Sequence, residues 1–89
     1  MQATYELGRI WLRGQDGTLL GSWQEKREVD QLARAVRAAE QGEQAAPEGI
    51  TPPVWLALTM WPEVREQILA AIAAHRAAVA PQHRRRPQR

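Results

Sequence analysis

The chain has 89 residues, twelve Lys or Arg against ten Asp or Glu, and no cysteine, which excludes disulfides, thiolate catalysis and cysteine-held metal together. A chain of this length buries only roughly 60–65% of its unfolded surface, so one small domain with a thin core is expected. Four arginines (Arg84, Arg85, Arg86 and Arg89) lie in the last nine positions; the other eight basic residues, against ten acidic ones, bring residues 1–80 to −2, which argues against a body that is basic throughout, as nucleic-acid-binding domains commonly are.

Residues 1–3 read as a lead-in. Residues 5–12 are rich in strand formers, with Tyr5, Ile10 and Trp11 β-branched or aromatic. Asp16-Gly17 is a turn dipeptide, because Gly accepts positive φ without steric cost and Asp tolerates it. Residues 18–23 then supply a second strand, and the two form a β-hairpin. A two-residue loop puts Ile10 opposite Trp23 and Leu12 opposite Gly21; a four-residue loop over 14–17 changes partners but not faces. Either way Ile10, Leu12, Leu19 and Trp23 share one face, while Arg9, Trp11, Arg13, Leu20 and Ser22 share the other. A three-residue loop with Gly17 in a bulge would slip the second strand by one residue and swap its faces. The first register is preferred because it gives one clearly apolar face.

Ser22 is placed to cap a helix, with Glu25 three residues on to complete a capping box. Val29, Leu32, Ala33, Val36 and Ala39 follow helical spacing and form one apolar stripe. Lys26 with Asp30, and Asp30 with Arg34, are expected as i,i+4 pairs on the solvated side. Gly42 sits where a left-handed cap would end the helix. Residues 42–53 form a proline- and glycine-rich linker.

The apolar run 54–61 is favoured as a short helix, since Thr51 can cap it, Pro52 and Pro53 suit a first turn, and Leu, Ala and Met prefer helix. Pro62 opens a long helix in which Val64, Ile68, Ile72 and Val79, with Leu69 beside them, seek a core. Its other side is largely alanine (Ala70, Ala73, Ala74, Ala77, Ala78), and Pro81 ends it. The expected fold is therefore α+β: a hairpin, an amphipathic helix, a linker, then one short and one long helix. The alternative is ββαβα, with residues 54–60 as a third strand. Residues 1–80 make the domain, and 81–89 a basic tail without regular structure.

Little in the chain points to catalysis. Ser22 is the only serine and its capping role accounts for it. His75 and His83 have no Asp, Glu or Cys at ligand spacing and read as surface or helix-flank histidines. The carboxylates read as caps and solvation rather than as a paired acid and base. Neither an enzyme, nor a cofactor, nor a metal is expected. Trp23, Trp55 and Trp61 are assigned to the core.

Arg9, Trp11 and Arg13 are more informative, because alternation projects all three from one side of a strand. Arg and Trp are enriched at protein-binding hot spots; an aromatic flanked by guanidiniums also suits single-stranded nucleic acid; the plain reading is that the chain's own C-terminal helices cover Trp11 while the arginines lie at the rim. The expected function is a non-enzymatic interaction or regulatory protein with a protein partner, such as an inhibitor or an accessory protein of a mobile element. The alternative is a nucleic-acid binder that uses Arg9, Trp11 and Arg13 together with Arg84, Arg85, Arg86 and Arg89. A homodimer would complete the thin core. No leader-like start and no stretch of about 20 apolar residues is visible, so no membrane partner and a cytoplasmic location are expected.

Overall fold

The computed structural model describes residues 1–79; the tail, with Arg84, Arg85, Arg86 and Arg89, lies outside the described residues. Three antiparallel strands, β1 (Gln2–Glu6), β2 (Arg9–Arg13) and β3 (Leu19–Trp23), form one sheet in the order β1-β2-β3. Three helices follow: α1 (Lys26–Glu40), α2 (Pro52–Met60) and α3 (Pro62–Val79). The α+β architecture with its N-terminal hairpin is as expected, and residues 54–60 are helical. The ββαβα alternative therefore fails.

The third strand comes instead from residues 2–6, which join the end of the stretch read as a lead-in to the start of the run 5–12. The run 5–12 is broken at Leu7 and Gly8, which adopt φ of 56° and 75°. Two consecutive positive φ values make a two-residue hairpin turn whose twist matches that of its strands. Only Gly8 announced this turn in the sequence, since leucine rarely takes the left-handed conformation. The turn pairs Gln2 with Arg13, Thr4 with Trp11 and Glu6 with Arg9.

Between β2 and β3 the preferred register holds at its centre, with Ile10 opposite Trp23 and Leu12 opposite Gly21. The connection is longer than two residues. The Gly14 N–H donates to the Thr18 carbonyl at 2.7 Å, the Gly17 N–H to the Gly14 carbonyl at 3.0 Å, and the Thr18 N–H to Asp16 Oδ1 at 3.0 Å. Those two bonds to residue 18 and residue 14 close the loop one pairing step early. Arg13 consequently faces Leu19, and Leu20 is the extra residue of a bulge. The faces of Leu19 and Leu20 are thereby the reverse of those expected: Leu19 is 49% exposed beside Arg13, while Leu20 packs on the core.

Ile10, Leu12 and Trp23 on the inner sheet face meet Val29, Leu32 and Val36 of α1, Val54 and Leu58 of α2, and Val64, Ile68 and Ile72 of α3 in one core. Fully burying such a side chain contributes about 1.5–3 kcal/mol. Trp23 lies in this core, and Trp55 and Trp61 are half-buried against it. Gly21 has a packing role here. A Cβ at that position would stand 2.8 Å from Trp23 Cη2 and 3.2 Å from Val54 Cγ2, so the indole occupies the space a side chain would need.

The cap of α1 is Glu25, not Ser22, which stays in β3. Glu28 supplies the other half of a capping box: its Oε1 accepts the N–H groups of Gln24 and Glu25, both at 3.0 Å. At the far end Gly42 takes φ 78°. Its N–H reaches the Ala39 carbonyl and that of Glu43 reaches Ala38, both at 3.1 Å, the paired bonds of a Schellman cap. The buried stripe of α1 is Val29, Leu32, Ala35, Val36 and Ala38; Ala33 and Ala39 pack half-buried at its margin. Lys26 pairs with Asp30 at 3.1 Å, but the second partner of Asp30 is Arg76 of α3 at 3.0 Å rather than Arg34.

Pro52 and Pro53 start α2, and Trp61 leaves it extended because the residue before a proline avoids the helical region. Arg65 donates to the Leu58 carbonyl at 2.7 Å and so serves the last turn of α2. On α3 the buried residues are Val64, Ile68, Ala71, Ile72 and His75. Val79 and Leu69, both expected inside, are exposed. His75 is no surface histidine. It is 7% exposed, lies edge-on to Tyr5 with centroids 5.9 Å apart, and its Nε2–H donates to the Gln24 carbonyl at 2.7 Å. Because a carbonyl only accepts, Nε2 carries a hydrogen. Gln67 accepts the Ala3 N–H at 2.8 Å, which helps close the β1 edge. Among the described residues no helix is long and apolar enough to cross a membrane.

Candidate functional site

The helices take the inner face of the sheet, and the outer face carries the residues singled out in β2. Arg9, Trp11 and Arg13 alternate with buried Ile10 and Leu12, so strand pleating alone aims all three outward. Trp11 is half-buried, yet it is not among the side chains that pack on the core. Its shelter comes from its neighbours. The guanidinium carbon of Arg9 lies 5.6 Å from the indole centroid and that of Arg13 lies 5.4 Å from it. Each contact is worth about 0.5–1 kcal/mol at an exposed site.

Three further bonds hold the arrangement. Trp11 Nε1–H donates to the Glu6 carbonyl at 3.2 Å, which ties the indole to the β1–β2 turn. Arg9 Nη1 donates to Ser22 Oγ at 3.1 Å, and Nη2 donates to Gln24 Oε1. The acceptors of Arg9 are thus both neutral. Arg13 makes no side-chain hydrogen bond among the described residues, and neither guanidinium forms an ion pair there, although Glu6 stands across the strand pair from Arg9. The face therefore offers two positive charges with no ion pair among the described residues, although the charge of Arg9 reaches the Glu28 carboxylate and helps to lower its pKa.

Arg13 sits between Gln2 on β1 and Leu19 on β3. A regular β3 would put Leu20 beside the charged row; the bulge turns Leu20 to the core and makes Leu19 the apolar neighbour of Arg13. Ser22 and Gln24 were missed as supports of Arg9, because Ser22 has an equally good local reading as a cap. The one signal for them was cross-strand register, which places Ser22 beside Trp11. Thr4 lies opposite Trp11, and its hydroxyl is buried with no hydrogen-bond partner.

A second positive surface lies on α1. Arg27 and Arg34, with Lys26, Asp30 and Gln31, line an open depression; Arg34 and Arg37 line another against Glu43 and Pro47. Among the described residues no aromatic side chain lines either depression. Among the described residues no three His, Cys, Asp or Glu side chains are grouped so as to hold a metal ion. The expected tail residues Arg84, Arg85, Arg86 and Arg89 lie outside the described residues. Comparison of the chain with protein-family models, with curated proteins and with solved structures finds no match.

Proposed function

We propose that this chain is a non-enzymatic interaction protein that binds a protein partner through the outer face of its sheet. The observation that carries this reading is the state of Arg9 and Arg13: both rest against Trp11, one of them hydrogen-bonded to neutral groups, with their charge left unpaired among the described residues. Side chains ordered before binding lose less entropy on association. Arg and Trp are also the residues that most often dominate binding energy at protein interfaces. Such a role suits a regulator, for instance an inhibitor or an accessory protein of a mobile element.

The second reading is single-stranded nucleic acid, favoured by the same indole and guanidiniums on a sheet and by the arginines of residues 84–89. Photo-cross-linking separates the two. A cross-linking residue at position 2, on the rim opposite Arg13, should give adducts in extract that protease removes and nuclease does not. Nuclease-sensitive adducts would favour the second reading. Adducts from position 69 of α3 but none from position 2 would remove both. The proposal extends to a homodimer through α2 and α3, where Leu56, Met60 and Leu69 are exposed beside an alanine-rich run.

A further inference from the structure

We infer that the outer sheet face recognises an acidic protein segment, in which a carboxylate takes the guanidinium of Arg13 and an adjoining apolar side chain lies on Leu19. The inference rests on the proposed interface and names the chemistry of its partner.

Arg13 and Arg9 are not equivalent. Arg9 already donates from both terminal nitrogens, to Ser22 and Gln24. The Arg13 guanidinium lies over the Trp11 ring, 5.4 Å from its centroid, and makes no side-chain hydrogen bond among the described residues, so its donors remain open as a planar fork there. A guanidinium with an open fork matches a carboxylate with two parallel hydrogen bonds, the strong and directional form of this contact. Leu19 is the neighbour of Arg13 on β3 and 49% exposed. Adjacent strands lie about 4.8 Å apart, so one side chain of the partner can meet Leu19 while its neighbour meets Arg13.

Carboxylates fit this face better than a phosphate backbone does. Two guanidiniums are a short row, whereas tracking a backbone takes many phosphate contacts. A base that stacked on Trp11 would have to displace a guanidinium already over the ring. An exposed leucine beside the charge also has no counterpart in a phosphate chain.

The test uses the full chain and fluorescence anisotropy with three labelled probes: a short peptide of glutamate and leucine, the same peptide with glutamine for glutamate, and oligothymidylate. The glutamate peptide should bind and the glutamine peptide should not. Arg13→Ala and Arg13→Lys should each weaken binding about tenfold or more, because lysine keeps the charge but not the fork. Leu19→Ala should weaken it by a smaller factor, and the joint variant Arg27→Ala, Arg34→Ala on α1 should leave it unchanged. Circular dichroism checks that each variant is folded. Wild-type affinity in Arg13→Lys would overturn the fork, and equal loss from the α1 variant would reduce the effect to diffuse charge. Tighter binding of oligothymidylate, lost in Trp11→Ala, would replace the acidic partner with nucleic acid. If the glutamate peptide fails while position 2 still cross-links a protein, the acidic partner falls and the interface stands. If position 2 cross-links nothing, both fall.

Discussion

Leu7 holds φ 56° while its side chain is 95% exposed. Nothing in the core compensates a left-handed leucine, and the two-residue turn requires the conformation. Asparagine tolerates that region better. Leu7→Asn should therefore raise stability by about 0.5–1 kcal/mol, and a urea midpoint that stays put or falls would show the turn is not strained. Gly21 presents the opposite case, since a side chain there meets both Trp23 and Val54. Gly21→Val should cost about 1–3 kcal/mol through overpacking. An unchanged midpoint would mean that Trp23 can swing aside. At the proposed binding face the same scale decides the roles: Arg9 is anchored by hydrogen bonds, and Arg13 keeps its donors open among the described residues.

Among the elements, α1 connects sheet and helices, and its ends explain why it stays where it does. Hydrogen bonds from the Gln24 and then the Glu25 backbone N–H hold the Glu28 carboxyl below its ordinary value of 4.5. A depressed folded value means the stabilisation is full above pH 4.5 and is lost as pH falls from there through the lowered value. Glu28→Ala should cost about 0.5–1 kcal/mol near neutral pH, at the low end for a cap because the group is solvated. The gap between wild type and variant should close in acid. A gap that persists below that range would detach the cap from the ionised carboxylate. On the buried side of α1, Leu32 is fully enclosed. Leu32→Ala should cost roughly 2–4 kcal/mol, a large share of a small domain's stability; a loss under about 0.5 kcal/mol would be that of a surface site.

For the whole molecule, the packed core and the exposed apolar side chains point to different surfaces. Ile10, Leu12, Leu32, Leu58 and Ile68 are fully buried within one chain, while Leu56, Met60 and Leu69 face outward. The proposed homodimer uses this second set, opposite in character to the charged sheet face. Light scattering after size exclusion should give twice the chain mass of 10.1 kDa, reduced to a monomer by Leu56→Glu with Leu69→Glu. A concentration-independent monomer in the wild type would remove the dimer and leave these side chains as ordinary surface apolar area.

Local rules carried much of this fold. Helical spacing marked α1 and its face, prolines bounded α2 and opened α3, Gly42 announced the Schellman cap, and strand alternation put Arg9, Trp11 and Arg13 on one side. Each of these depends on residues a few positions apart, so composition and spacing suffice. What failed needed distant partners. The strand β1 was hidden because Leu7 takes a conformation that its type disfavours, stabilised only when Gln2–Glu6 pairs with β2. The reversal of Leu19 and Leu20 follows from a bulge that alternation cannot reveal. His75 continues the buried stripe of Ile68 and Ile72, but its inward place makes sense only with Tyr5 and the Gln24 carbonyl beside it. The candidate site divides the same way. The charged row was written in one strand, whereas the supports of Arg9, the open fork of Arg13 and the exposed Leu19 arise where three strands meet, because cross-strand neighbours are set by register rather than by sequence distance.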